Sequence, residues 1–146
     1  MYSQIDGVLT FPIPSFLDDR GEVIKIPVPP FVVKDVYVTT IRKDAIKAWH
    51  GYNTKSLYWT VVRGIVQLGL YDDRVDSITY GVNDTLFLGQ GAYFSVLVPP
   101  GIYNGFKGIS NEDAVIVVQA DEYYGQINRK SYDIGEFNYD WDVRHG

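Results

Sequence analysis

Apolar and polar residues alternate over short stretches along most of the chain, and turn-forming residues separate these stretches. Alternation with a period of two, together with β-branched and aromatic residues, is typical of β-strands. The predicted strands are, in order, Val23–Val28, Val32–Ile41, Ser56–Val62, Ile65–Tyr71, Ser77–Tyr80, Thr85–Leu88, Tyr93–Val98 and Ala114–Gln119. Many short antiparallel strands at this spacing predict an all-β fold, either a sandwich or a jelly-roll barrel.

Helical periodicity is missing from the sequence, because apolar residues nowhere recur at intervals of three and four over a dozen positions. We therefore expect at most one or two short helical turns, near Lys43 to Trp49. The tail from Tyr124 to Gly146 is polar and aromatic. It could cover a sheet edge or pack on a second subunit, and the sequence leaves both open.

The length of 146 residues suits a single domain over residues 1–146. Since there is no cysteine, a disulfide framework, a thiol nucleophile and a thiolate metal site are all excluded. No stretch resembles a signal peptide or reaches the length of an apolar membrane span. We expect a cytoplasmic protein without a membrane partner.

The charge pattern argues against a nucleic-acid partner. The formal net charge is -5, and the basic residues are scattered rather than clustered. Binding to a phosphate backbone needs a basic surface, which this sequence does not predict. An anionic small molecule remains possible, because a few converging lysines and arginines would not change the net charge much.

Only two histidines are present, His50 and His145. A transition-metal site needs several imidazole or carboxylate ligands together, so we expect no metal. His50 lies between predicted strands, close to lysines and aromatic residues. It could act as a general base with a pKa near neutrality, or it could be an ordinary turn histidine facing solvent.

Two turns carry further polar residues. The turn Pro99-Pro100-Gly101 could place Tyr103 and Asn104 at the mouth of a barrel, or it could merely connect two strands. By composition, the residues from Asp72 to Arg74 look like a solvated turn.

Several ordered motifs resemble the dTDP-4-dehydrorhamnose 3,5-epimerase family, a group of cupin-fold enzymes. The matching segments are Asp19-Arg20-Gly21, Arg63-Gly64 followed by Asp72 and Arg74, Asp76 to Gly81, Val98 to Phe106, and Asp121 to Tyr124. The resemblance spans about residues 18 to 124 and implies a cupin-like jelly roll. It also implies a sugar-nucleotide ligand, no cofactor and a homodimer.

The resemblance implies roles for particular residues. His50 matches the base that removes a proton next to the 4-keto group, and Lys55 resembles the lysine that stabilises the enolate. Tyr103 or Tyr123 is expected to stand in for the acid that returns the proton. The residues expected to bind substrate are Arg20, Lys47, Asn104 and Tyr123, with Lys47 in place of an arginine that contacts phosphate.

The sequence also departs from the family pattern. Val118 occupies the place of the acid tyrosine, and a valine cannot donate a proton. Asn104 replaces a histidine. The aspartate that orients the base is missing unless Asp140 or Asp142 takes its part.

Three functions therefore remain open. The first is an epimerase or ketoisomerase of nucleotide-linked 4-keto-6-deoxyhexoses. The second is a non-catalytic cupin that binds a sugar nucleotide, for which Val118 is the best argument. The third is a structural or regulatory subunit that serves mainly to dimerise.

Overall fold

The computed structural model describes residues 2–123 and 129–142 of the chain. Within these residues the chain forms twelve β-strands and one 3-10 helical turn. The strands are β1 Leu9–Pro12, β2 Ser15–Asp18, β3 Gly21–Ile24, β4 Asp35–Ile41, β5 Ile46–Tyr52, β6 Leu57–Arg63, β7 Ile65–Asp72, β8 Asn83–Gly89, β9 Phe94–Val98, β10 Ile102–Gly108, β11 Ala114–Ala120 and β12 Arg129–Ser131. The 3-10 turn spans Glu136–Asn138.

The strands assemble into two five-stranded antiparallel sheets. The order in the first sheet is β1-β9-β6-β11-β4, and the order in the second sheet is β12-β5-β10-β7-β8. The hairpin β2–β3 stands apart from both. This arrangement confirms the predicted all-β jelly roll of antiparallel strands.

The core lies between the inner faces of the two sheets, as the alternation of buried residues shows. In β11, Ala114, Ile116, Val118 and Ala120 are buried, and the residues between them are only partly buried. Leu68 of β7 and the other inward side chains of the second sheet meet them in one apolar cluster. The period-two pattern in the sequence therefore marks real strands with one face inside.

Two local predictions were wrong. The segment Ser77–Tyr80 forms a turn rather than a strand, since its hydroxyl groups bond to Asp72 instead of to a neighbouring strand. The segment from Lys43 to Trp49 contains no helical turn and leads into strand β5. Among the residues described, the one 3-10 turn lies in the tail instead.

Asp72 and Arg74 form a buried polar network, which corrects the expectation of a solvated turn. The Asp72 side chain is fully buried and accepts hydrogen bonds from Arg74 Nε at 2.9 Å, Ser77 Oγ at 2.7 Å and Thr79 Oγ1 at 2.6 Å. Arg74 also donates to the Asp6 carbonyl, so the network ties the N-terminal segment to the barrel. Burial alone would raise the pKa of Asp72, but these donors outweigh it and hold that pKa far below its usual range.

The described part of the tail covers the outer face of the second sheet. Trp141 and Tyr139 lie 5.2 Å from the Trp49 ring, measured between ring centroids. Gly69 provides room for them, because a Cβ there would lie 2.8 Å from the Trp141 ring. His145 and Tyr124 lie outside the described residues.

No helix in the described ranges has the length and apolar character needed to cross a membrane.

Substitution Asp72→Ala should lower the free energy of unfolding by about 3 kcal/mol at pH 7, because it leaves the Arg74 charge uncompensated. Since the pKa of Asp72 is depressed in the folded state, its stabilisation is present above about pH 4 and declines as the pH falls further. Urea denaturation at pH 7 and pH 3 measures both effects. The control is Asp18→Ala, which removes the exposed pair with Arg20 and should have no resolvable effect. Equal losses in the two variants would contradict this account.

Candidate functional site

A cavity of about 230 Å³ opens between the two sheets. Each sheet contributes five side chains to its walls. The first-sheet wall consists of Tyr37, Thr39, Leu57, Trp59 and Val118, and the second-sheet wall consists of Lys47, His50, Tyr52, Asn104 and Phe106. The first-sheet wall is mainly apolar, whereas the second-sheet wall carries a histidine, a lysine and an amide.

His50 and Asn104 lie side by side on the second-sheet wall. They are directly opposite each other in the pairing of β5 with β10, and both face the cavity. The Nδ1 atom of His50 lies 3.4 Å from Ser131 Oγ on the neighbouring strand β12. Ser131 is thus a polar partner of this histidine that the sequence did not predict.

Asn104 offers a hydrogen-bond donor to a ligand. Its side chain is 95% buried, and its Nδ2 atom has no partner among the residues that the structure describes. A buried amide without a partner costs free energy, so a ligand acceptor in the cavity would be stabilised here. Asn104 was predicted at the mouth of the barrel, and the structure places it on the cavity wall.

A bulge in β5 lets Lys47 and His50, which are three positions apart, both face the cavity, while Trp49 faces out. The pairing with β10 shifts there, since Asn104 is opposite His50 but Gly105 is opposite Ala48. Gly105 permits the bulge, because a Cβ at that position would lie 2.4 Å from the Ala48 Cβ. The extra residue re-aims the side chains on either side of it.

Lys47 brings a positive charge to the rim of the cavity. Its Nζ donates to Thr39 Oγ1 at 3.1 Å and to the Thr40 carbonyl at 2.7 Å, and the side chain remains exposed. These bonds connect β5 to β4, so the two sheets are joined at the rim. An exposed ammonium group there suits an anionic group of a ligand.

Two neighbouring residues on the first-sheet wall lie at or beside the position where the family resemblance implies an acid tyrosine. Val118 faces the cavity from β11, as expected from its match to the place of an acid tyrosine. Tyr37, which the sequence analysis did not single out, lies opposite Val118 on the neighbouring strand β4 and also lines the cavity. The alternation of β4 could have indicated its inward face, but not its pairing with β11.

Tyr103 does not face the cavity, which corrects its predicted role as the acid. It precedes Asn104 on β10, so the pleat turns its side chain to the outer face. There it packs with Trp49 and Trp141, with its ring 5.1 Å from that of Tyr132. Burial and a hydrogen bond with Tyr132 raise the pKa of Tyr103.

Lys55 is buried but is not among the residues that form the cavity wall. Its Nζ lies 4.4 Å from the centroid of the Tyr52 ring, and Tyr52 itself faces the cavity. The Lys55 side chain therefore does not line the cavity, and its predicted role in stabilising an enolate stays a prediction.

Arg20 and Tyr123 also lie away from the cavity. Arg20 is on the exposed hairpin β2–β3 and pairs with Asp18 at 2.5 Å. Tyr123 follows β11 and is 64% exposed. The fold of this single chain does not bring either residue to the cavity. A substrate-binding role for them stays a prediction.

Asp140 and Asp142, the candidate substitutes for the missing base-orienting aspartate, lie in the tail. Asp140 Oδ1 accepts from the Asp142 backbone amide at 2.9 Å, and the Asp140 carbonyl accepts from Gln67.

As for metals, no group of three or more histidine, cysteine, aspartate or glutamate side chains within residues 2–123 and 129–142 could hold an ion.

Comparisons with known proteins support the fold. No family model matches the chain. A probable low-salt glycan biosynthesis epimerase from Haloferax volcanii is 28% identical over 116 residues, which cover 75% of this chain and 74% of that protein. A dTDP sugar isomerase from Desulfovibrio desulfuricans has a similar structure, with a TM-score of 0.90 and 20% identity over 97% of this chain and 94% of that one.

A further similar structure is the dTDP-6-deoxy-D-glucose-3,5-epimerase from Legionella pneumophila, solved with dTDP-4-keto-L-rhamnose. Its TM-score is 0.87, with 18% identity over 99% of this chain and 83% of that one. The structural likenesses confirm the predicted fold, and the sequence likeness to a glycan biosynthesis epimerase agrees with the family resemblance.

The outward position of Tyr103 can be tested by a double-mutant cycle with Gly51. A Cβ at Gly51 would lie 2.7 Å from the Tyr103 ring, so Gly51→Ala alone should cost about 1–3 kcal/mol through overpacking. Combined with Tyr103→Leu, the same substitution should cost much less. Urea denaturation of the four proteins gives the coupling energy. Additive costs would contradict the contact.

Proposed function

We propose that this chain is an epimerase that acts on a nucleotide-linked 4-keto-6-deoxyhexose. The observation that carries the proposal is the pairing of His50 with Asn104, whose Nδ2 atom has no hydrogen-bond partner among the described residues, on one wall of a cavity in an epimerase-like fold. The similarity to a glycan biosynthesis epimerase supports the same reaction class. The dTDP-linked substrate class is proposed from the solved neighbours.

His50 would start the reaction as the general base. It takes the proton from the carbon next to the 4-keto group, and the electron pair of that C–H bond moves to the ketone oxygen. The resulting enolate oxygen needs a hydrogen-bond donor, and the Asn104 amide on the same wall supplies one. Proton return to the opposite face of the carbon completes the inversion without an oxidant or reductant.

Lys47 would hold the nucleotide part of the substrate. Its exposed ammonium group at the rim can pair with a diphosphate as a point charge. The apolar side chains Trp59 and Phe106 would enclose the sugar and exclude water.

A non-catalytic binding protein is the second candidate. Val118 favours it, since the position matched to the acid tyrosine carries an apolar side chain on the cavity wall. The two candidates differ in whether the substrate exchanges its protons with solvent.

A homodimer is part of the proposal. Strand β4 is an edge of the first sheet, and its outward residues Val36 and Val38 are 58% and 60% exposed. The hairpin β2–β3 presents Phe16 and Leu17 to solvent, at 61% and 79% exposure. An exposed apolar edge strand of this kind favours pairing with another copy.

The single-domain organisation and the cytoplasmic location expected from the sequence also remain proposals.

Proton NMR of dTDP-4-keto-6-deoxyglucose in heavy water tests the reaction. The wild type should remove the signal at carbon 3 or carbon 5, and His50→Ala should reduce the exchange rate at least 100-fold. The matched control is Tyr103→Phe on the outer face, which should exchange at a rate within about twofold of the wild type. Binding of the ligand without exchange in the wild type would favour the non-catalytic candidate.

Sedimentation analysis tests the dimer. The wild type should sediment with twice the chain mass of 16.6 kDa, and Val38→Lys should shift it to the monomer by placing a charge in the interface. The control is Val75→Lys, because Val75 is 76% exposed but belongs neither to strand β4 nor to the hairpin β2–β3. A monomeric wild type, or a Val38→Lys variant that remains dimeric, would contradict the interface.

A further inference from the structure

We infer that Tyr37 is the catalytic acid that returns the proton to the substrate, on the face opposite His50. This inference rests on the proposed epimerase function. Inversion of a carbon requires that the proton leave from one face and return to the other. The donor must therefore stand on the cavity wall that faces the wall carrying His50.

The first-sheet wall contains one suitable group among the described residues that line the cavity. Leu57 and Val118 are apolar, and Trp59 has an indole N–H that does not act as an acid in water. Thr39 accepts a hydrogen bond from Lys47, and an alcohol is a far weaker acid than a phenol. Tyr37 is left as the wall residue with a transferable proton.

Tyr52, the other tyrosine of the cavity, does not meet the requirement. It lies two residues from His50 on the same strand and contributes to the same wall. A proton delivered from there would return to the face from which it was removed.

Strand pairing places Tyr37 beside Val118, the residue that occupies the position matched to the acid tyrosine. The two residues are direct partners across β4 and β11, and both point inward. The Cβ atoms of such partners lie about 4.5–5.5 Å apart, a distance that a phenol ring spans easily. Tyr37 and Val118 therefore line the same part of the cavity wall, and the Tyr37 phenol is the acidic group next to the position that Val118 occupies.

The contact between Lys47 and Thr39 holds this geometry. Lys47 and His50 belong to β5, whereas Thr39 and Tyr37 belong to β4. The bond of 3.1 Å between Lys47 Nζ and Thr39 Oγ1 therefore fixes the strand of the base relative to the strand of the acid. Both groups are positioned before the substrate arrives.

The proton balance of the reaction closes. His50 receives the proton from carbon, and the enolate carbon then takes the proton of the Tyr37 hydroxyl from the other face. This leaves a Tyr37 phenolate and a His50 imidazolium. A proton passes from the imidazolium to the phenolate through solvent, which restores both groups.

The test separates exchange from inversion with dTDP-4-keto-6-deoxyglucose in heavy water. Tyr37→Phe keeps the ring and its packing but removes the acidic proton. We expect inversion to fall at least 100-fold, while His50-dependent exchange continues with retention of configuration. In the double variant Tyr37→Phe/Val118→Tyr, the hydroxyl returns from the neighbouring strand, and inversion should recover at least tenfold.

Two outcomes overturn the assignment to Tyr37 alone, whereas exchange without inversion in the wild type overturns both that assignment and the epimerase function. The two are inversion by Tyr37→Phe at the wild-type rate and a folded double variant with no recovery. Failure of the wild type to exchange at all would instead remove the proposed function, and the role of Tyr37 with it. Circular dichroism and thermal melting of each variant establish that it is folded.

Discussion

Side chains on a β-strand point alternately to its two faces, and in this chain the alternation separates ligand-facing groups from structural ones. Asn104 and Tyr103 are neighbours on β10, yet Asn104 faces the cavity and Tyr103 packs under the aromatic tail. A shift of the register by one residue would exchange the two. His50 and Trp49 on β5 are separated in the same way, and the bulge beside them lets Lys47, three positions before His50, line the cavity as well.

Contacts away from the cavity stabilise the strands that carry His50 and Asn104. The aromatic tail packs on Trp49, directly beside His50 in sequence, and so covers β5 on the outer face of the second sheet. At another part of the fold, the buried Asp72 fixes the loop that follows β7 and, through Arg74, the N-terminal segment. Neither Trp49 nor Asp72 lines the cavity, so both act on the frame of the fold rather than at the site.

Much of the fold could be predicted from the sequence, because β4 and β7 contain alternating positions and β11 is a short run of β-branched apolar residues bounded by turn residues. Strand β5 was missed because its bulge breaks that alternation. Asp72 was misjudged because composition does not reveal that Ser77 and Thr79 fold back onto its carboxylate. Burial there depends on tertiary contacts.

The site was predicted only in part, for a similar reason. His50, Lys47 and Asn104 were found from motif positions that the structure places around one cavity. Tyr37 was missed because its partner Val118 is distant in sequence, and strand pairing over such a separation is not encoded locally. The motif that suggested Tyr103 carried no information on which face of β10 it occupies.

The central claim is that His50 and the first-sheet wall meet a sugar ring from opposite faces. A crystal structure of the chain with bound dTDP-4-keto-6-deoxyglucose tests it most directly. The account predicts that the sugar lies inside the cavity, with His50 and the Tyr37 hydroxyl about 3–3.5 Å from one carbon next to the ketone, on opposite faces. A sugar bound outside the cavity, or both groups on one face of its ring, would contradict the account.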